Sequence, residues 1–306
     1  MPKRQRRFAT TKVHRMSNLQ TRDLSKAVIT SMTEVEFAEW RKKDNARLIY
    51  HQGRYWEELR SGFYQPIHLL ARLDNKQATN PKLLCWGFRS ALTENDAIAA
   101  NGSIPVNLLS DVSGYDLLSL PSKRRNQVRK SRKKVKIGEL TDSSLLKQQG
   151  YEVIVSALKR TAHKQAPTKD DYIAELANYF IPKRRLILGG LIGDRLGGYI
   201  EGHAIEGTAY IQNIYIASEA LSTDVGSGLV FEFVQVCIRS GNIQEIVYGQ
   251  HSREDTKLCR YKEGMGFPTK HIPAKVKINP VIRKLIQWRL PHSYYRLAGY
   301  NPHIFK

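Results

Sequence analysis

The chain has 306 residues, long enough to bury a full core, and a hydrophobic fraction of 41% that fits a globular protein. Forty-nine Lys and Arg against 28 Asp and Glu give a formal charge of +21, so the expected partner is anionic: nucleic acid, an anionic membrane touched peripherally, or a phosphorylated or nucleotide-linked substrate. Cys85, Cys237 and Cys259 lie far apart, which argues against a zinc site or a disulfide framework and for a cytoplasmic setting with no metal; no run of 18 apolar residues reads as a membrane span.

Residues 1–30 carry Lys3, Arg4, Arg6, Arg7, Lys12 and Arg15 with little apolar content and read as a flexible basic arm. From Thr33, a candidate helix cap, Val35, Phe37, Ala38 and Trp40 predict a short helix. Arg47–Tyr50, Tyr64–Leu70, Leu83–Phe88 and Ile104–Leu109 are β-prone runs separated by Gly, Pro and Asn, so residues 31–118 read as a small α+β unit.

Residues 121–136, PSKRRNQVRKSRKKVK, hold nine basic side chains and no acid. As a helix starting at Pro121-Ser122, this run would place Arg125, Arg129, Arg132 and Lys136 on one side. That side would serve either as a solvated connector or as a clamp for phosphates. Val135–Leu140 predicts a strand, Leu145–His163 a helix with Leu146, Ile154 and Leu158 inward, and Asp170–Tyr179 a second helix that stops before Pro182.

Residues 183–267 carry the strongest pattern. Arg184–Ile192, Leu196–Ile205 and Ala209–Ile216 read as strands joined by the turns Gly193-Asp194 and Glu206-Gly207. Asp224-Val225-Gly226-Ser227-Gly228 then opens a helix with Leu229, Phe233, Val236 and Cys237 at helical spacing, followed by a strand at Glu245–Gly249 and a short helix at Leu258–Gly266. Beyond it, Pro268–Lys277 predicts a strand and Pro280–Leu290 a helix. The tail, with Tyr294, Tyr295, Tyr300 and Phe305, is too aromatic to be left in solvent.

Strand, two helices, three antiparallel strands, helix, strand, helix, strand over residues 135–277 resembles the GNAT acyltransferase fold, an α/β (α+β) architecture around a mixed, largely antiparallel sheet. Within it the chain is similar to the Fem peptidyltransferase-like branch and its acetyltransferase-like relatives. The resemblance rests on SKRRNQVRKSRKK, ALKRTAHKQAP, RLILGGLIGDRLGGYIEGHAIEGTAYIQNIYIA and RYKEGMGF, the last matching the aromatic-Lys-x-x-x-Gly pattern. It makes residues 119–306 a GNAT-like domain with a basic helix at 121–136 and a C-terminal helix and tail at 278–306.

The resemblance implies acyl transfer and places an acyl-CoA pyrophosphate, acetyl-CoA being the reference, on the turn Val225, Gly226, Ser227 and Gly228, where a helix N-terminus favours an anion. In this chain Thr223 replaces the usual cationic lead residue and Asp224 adds a negative charge, a departure that also suits aminoacyl-tRNA as donor. It further gives Lys262, the lysine of that pattern, a place at the acceptor or leaving-group end.

Among the strand residues, alternation puts Tyr199, Glu201 and His203 on one side, with Glu201 and His203 about 7 Å apart as an acid/base pair or as part of a plain polar face. Tyr210 and Gln212 are expected on one side of the next strand and Asn213 and Tyr215 on the other; His251 is an alternative base. Two functions follow: an N-acyltransferase moving an acetyl or aminoacyl group to an amine of a nucleotide-linked sugar or cell-envelope precursor, or a nucleic-acid-binding protein using a GNAT core as scaffold.

Overall fold

The computed structural model describes residues 21–161, 165–181 and 185–299. Two short strands, β1 (Thr21–Arg22) and β2 (Ser31–Met32), precede helix α1 (Glu34–Lys43). The helix starts on the expected cap: Thr33 Oγ1 accepts from the Glu36 amide and the Glu36 carboxylate accepts from the Thr33 amide. Residues 21–30, expected in the basic arm, are folded. Arg22 makes a bidentate pair with Glu139, both bonds 2.7 Å, and Ala27 and Ile29 are buried. Residues 1–20, the rest of that arm, lie outside the described residues.

Strands β3 (Leu48–His51), β4 (Arg54–Arg60), β5 (Phe63–Pro66), β6 (Gly87–Ala91) and β7 (Gly102–Leu109) follow. The sequence concealed β4, because its Glu57, Glu58 and Arg60 break the apolar alternation; Glu57 and Glu58 are instead held by Arg41 and Arg47. Residues 83–86, expected to begin a strand, form a turn with Leu83 and Leu84 exposed and Cys85 and Trp86 half-buried.

Helix α2 (Ser122–Lys134) leads into β8 (Lys136–Leu140). A π-helical turn at 146–150 runs into α3 (Tyr151–Thr161), and α4 (Lys169–Leu176) follows; His163 lies outside the described residues. Strands β9 (Leu186–Ile192), β10 (Arg195–Ile205) and β11 (Thr208–Ile216) form the expected meander. Glu206 and Gly207 both take positive φ, 46° and 83°, the requirement of the tight hairpin between the last two.

Helix α5 (Val225–Ser240), β12 (Glu245–Gln250), α6 (Thr256–Gly264), β13 (Thr269–Ile278) and α7 (Pro280–Arg289) complete the predicted order. An unpredicted helix, α8 (Pro291–Ala298), begins where α7 was expected to end the fold, and it buries Tyr294 and Tyr295. Tyr300 and Phe305 lie outside the described residues.

All strands join one sheet in the order β1-β8-β9-β10-β11-β12-β7-β13-β6-β5-β4-β3, with β2 added parallel to β10. β7 lies between β12 and β13, so hydrogen bonding continues from residues 31–118 into the later segment. Helix α5 packs on one face. A Cβ on Gly202 would stand 2.6 Å from Phe233 of α5, and one on Gly228 would collide with Ser131 of α2, so glycines set these approaches. The opposite face carries Tyr172, Tyr179 and Tyr199, all buried.

Candidate active site

The parallel strands β11 and β12 pair over only three positions, Thr208–Tyr210 against Glu245–Val247. Past that point both strands are irregular. The register of β10 against β11 steps from Glu201↔Asn213 to Gly202↔Ile211, leaving Gln212 bulged without a partner. In β12, Gly249 takes φ +73°, and the register against β7 shifts between Val247 and Gln250. The strands therefore part, and a cavity opens on each side of the gap.

The bulge also corrects the expected facing of β11. Glu201 and His203 share a face of β10, and their partners are Asn213 and Tyr210, so these two share it as well. The Tyr199 and Tyr215 rings, 5.4 Å apart, continue the same face. What fails is the expected separation of Asn213 from Tyr210, because one residue is inserted; Gln212 still reaches the same wall as Tyr210 and His203.

The larger cavity, about 580 Å³, is lined by Asn213 to Ile216 of β11, Tyr248 of β12, residues of α3, Tyr261 of α6, and the start of α5. Gly226 and Ser227 face it; the nearest atoms to a Cβ on Gly226 would be Ile216 at 3.5 Å and the Tyr261 hydroxyl at 3.7 Å. The Ser227 and Gly228 amides both bond to the Asp224 carbonyl, so the amides of Val225 and Gly226 precede the first turn's bonds, where a helix end attracts anions.

Asp224 does not bring a free charge to this place. Its carboxylate accepts from Gln127 Nε2 at 3.1 Å and pairs with Lys130 Nζ at 3.1 Å, both from α2. Arg124, also from α2, lines the cavity with its guanidinium 4.6 Å over the Tyr261 ring, and Arg160 of α3 lines the opposite wall. Of the predicted turn, Val225 is core and Gly228 is closed off by Ser131, so only Gly226 and Ser227 reach the cavity.

The second cavity, about 290 Å³, is lined by Phe37, Trp40 and Arg41 of α1, by Arg185, His203, Tyr210 and Gln212, and by Gly249 and Gln250 of β12. The His203 ring is stacked between Phe37 (5.1 Å) and Tyr210 (5.5 Å), with Trp40 edge-on at 5.6 Å. Burial pushes its pKa down to about 3, with the Arg185 charge adding to the effect, so the imidazole is neutral at ordinary pH, and its Nδ1 has no partner among the described residues.

Glu201 lies beneath this wall, fully buried, 2.7 Å from Arg185 Nη1, with Asn213 and Tyr179 donating to the same carboxylate. Burial raises its carboxyl pKa and Arg185 opposes the rise. Arg185 is held between Tyr179 (4.1 Å) and Trp40 (5.1 Å) as cation–π partners. Glu201 and His203 thus share a face as expected but differ in role: one anchors an arginine, the other lines the cavity.

Lys262 of α6 is buried behind the gap, against Tyr248 and Gly249, and lines neither cavity. Its amine is 5.0 Å over the Tyr248 ring and 3.5 Å from where a Cβ of Gly249 would be, and burial lowers its pKa while Cys259 and Asp255 pull it back up. Tyr210, by contrast, spends its hydroxyl as acceptor from the Leu70 amide at 3.1 Å. His251 bonds the Tyr295 hydroxyl at 2.8 Å and lines neither cavity.

The expected clamp on α2 does not form as a row. Arg125 donates to the Leu120 carbonyl at 2.9 Å, Arg132, though exposed, pairs with Glu232 at 2.9 Å, and the exposed Lys136 belongs to β8 rather than to the helix; Arg129 bonds only weakly to Asn126 on the surface. The cavity takes Arg124 and, through Asp224, Lys130. The sequence offered the basic run but not its rotation. Arg185, Phe37 and Trp40 were also missed as site residues, since their partners are remote in the chain.

No protein-family profile matches the sequence, and no curated protein matches it. Solved structures do. The C-terminal domain of a protein assigned as a lysylphosphatidylglycerol synthetase from Agrobacterium fabrum matches at TM-score 0.56 and 11% identity, over 86% of this chain and 92% of that one. FemX matches at TM-score 0.58 and 9% identity, over 82% and 93%. L-PGS from Bacillus licheniformis matches at TM-score 0.52 and 10% identity, over 90% and 100%. At such identities the likeness establishes the fold alone: this chain has the GNAT-like fold expected from its element order, in the form seen in FemX and these synthetase domains.

Proposed function

We propose that the protein transfers an acyl or aminoacyl group from a phosphate-bearing carrier to an amine of an anionic acceptor such as a nucleotide-linked sugar or cell-envelope precursor. The observation that carries this reading is the pair of cavities meeting at the parted β11 and β12, one beside a helix N-terminus with Arg124, the other lined by aromatic rings and Arg185. Two substrates can reach one gap from opposite sides, which lowers the entropic cost of bringing them together.

The α5 turn fits a phosphate. Gly226 presents no side chain, the first-turn amides point outward, and Asp224 is balanced by Lys130. A bound acyl-CoA or an aminoacyl-tRNA end would supply the activated carbonyl. The acceptor, as the neutral amine, attacks that carbonyl directly, an N–C bond forming as the bond to the carrier breaks, and the proton the nitrogen sheds passes to solvent or to the leaving sulfur or oxygen. Lys262 stabilises the developing oxyanion or returns a proton to the leaving atom. His203, neutral at working pH, shapes the acceptor wall and accepts a hydrogen bond rather than holding a charge.

The scaffold reading loses support because Arg125, Lys130 and Arg132 of the basic helix are tied to internal acceptors. Calorimetry with acetyl-CoA, and separately with aminoacyl-tRNA, tests the proposal. One carrier should bind at micromolar level, Gly226→Glu should abolish that binding, and Lys262→Ala should bind but transfer about 100-fold more slowly. Binding of neither carrier, or equal binding by the Gly226→Glu protein, would overturn it.

A further inference from the structure

Helix α7 shows apolar residues on two separate faces. Ile282 and Ile286, four apart, pack inward on the cluster that contains Ile104, Val276 and Tyr294. Val281, Leu285 and Trp288, at i, i+4 and i+7, form a second stripe that is 76%, 53% and 72% exposed. At 3.6 residues per turn, Lys284 and Arg289 border that stripe on its two sides, and the Arg289 guanidinium stands 4.5 Å over the Trp288 ring.

The stripe extends beyond the helix. The Asn279 amide that caps α7 donates to the Trp86 carbonyl at 2.7 Å, which fixes loop 82–86 beside the first turn. On that loop Leu83 and Leu84 are 91% and 89% exposed, next to Lys82. Leu290, at the joint to α8, is 57% exposed. From Gly264 to Lys306 the sequence has eight Lys and Arg and no Asp or Glu.

We propose that α7 and loop 82–86 dock flat on an anionic phospholipid surface. Leu, Val and Trp in a line flanked by cations enter the headgroup and acyl boundary while Lys284, Arg289 and Lys82 meet lipid phosphates. A second copy of the chain would bring the same cations face to face around the stripe, and a nucleic acid would have no use for aliphatic side chains at its centre. No helix among the described residues is long and apolar enough to cross a membrane, so the contact is peripheral. The proposal does not depend on the transfer chemistry.

Flotation of the full chain with phosphatidylcholine vesicles, with and without phosphatidylglycerol, tests it. The protein should float with the anionic vesicles, and Trp fluorescence should shift to the blue, a shift that Trp288→Phe removes. Leu285→Glu/Trp288→Glu should weaken partitioning at least about 10-fold without altering the melting temperature, because both side chains are exposed; Lys284→Glu/Arg289→Glu should weaken it in low salt. Absence of flotation by the wild type, or flotation of the Leu285→Glu/Trp288→Glu protein at the wild-type level, overturns the proposal. So does self-association of the wild type that this double variant loses, or loss of tRNA binding in that variant without loss of vesicle binding.

Discussion

Acidification probes the wall of the smaller cavity through His203. The ring is stacked between Phe37 and Tyr210 and largely buried, and its pKa is held at about 3 against an ordinary 6.5. Between those values the unfolded chain holds the proton and the folded chain does not. Stability from this residue is therefore complete above about pH 6.5 and is lost as pH falls towards 3. Each pH unit in that window costs about 1.4 kcal/mol, so going from pH 7 to pH 5 removes about 2 kcal/mol, and the whole window about 4–5 kcal/mol.

His203→Phe keeps a flat ring in the stack and removes the titration; it also loses a hydrogen bond between the ring and the Gln212 side chain, which shifts stability equally at all pH, since an amide does not titrate. Urea unfolding of both proteins at pH 7 and pH 5 separates the effect, because His251 and His271, also held below their ordinary value by burial, titrate in both and cancel. The wild type should lose about 2 kcal/mol more than the variant. Equal losses would refute the desolvated, neutral ring.

Glu201→Ala should cost about 3–5 kcal/mol because Arg185, whose side chain is 7% exposed, would keep its charge without a carboxylate. That lowers the melting temperature by about 6–10 °C, and Glu201→Leu/Arg185→Met should recover most of it; a double variant as unstable as the sum of the singles would show that the pair is not coupled. Gly249→Ala should cost about 1–2 kcal/mol for the left-handed backbone at φ +73°; the added carbon meets the Lys262 amine at an ordinary contact distance of 3.5 Å, so transfer should slow only through the shift of the strained backbone beside that amine. Unchanged melting and unchanged transfer would remove Gly249 from the account of the gap.

The meander β9–β11 and helix α5 were legible because their signals are local: apolar runs ended by Glu206-Gly207, and Leu229, Phe233, Val236 and Cys237 at helical spacing. β4 was not, because its charges are satisfied by Arg41 and Arg47 from other elements. The adjacent arginines 124 and 125 differ by about 100° around α2, enough to send one into the cavity and the other back to the Leu120 carbonyl. Nothing local to Gln212 marks a bulge, yet that one residue moves Asn213 to the face of Glu201 and His203. Arg185 is found only through Glu201, Tyr179 and Trp40, which the fold brings to it.

Why a gap should exist at all between two strands of a hydrogen-bonded sheet follows from the same irregularities. A parallel pair continues only while both strands keep their pleat, and here each loses it just after the last shared pair, Tyr210↔Val247. Gln212 adds a residue on one side, and Gly249 turns into the left-handed region on the other. Neither change is supported by new pairing between the strands, so its compensation must come from around the gap. Glu201 with Arg185 and Asn213 secures the β11 side, the stacked rings of Phe37, His203 and Tyr210 cover the same wall, and Lys262 over Tyr248 holds the β12 side. The residues nearest the proposed chemistry are thus also those that hold the strands apart, which is why substitutions there are expected to change stability and transfer together.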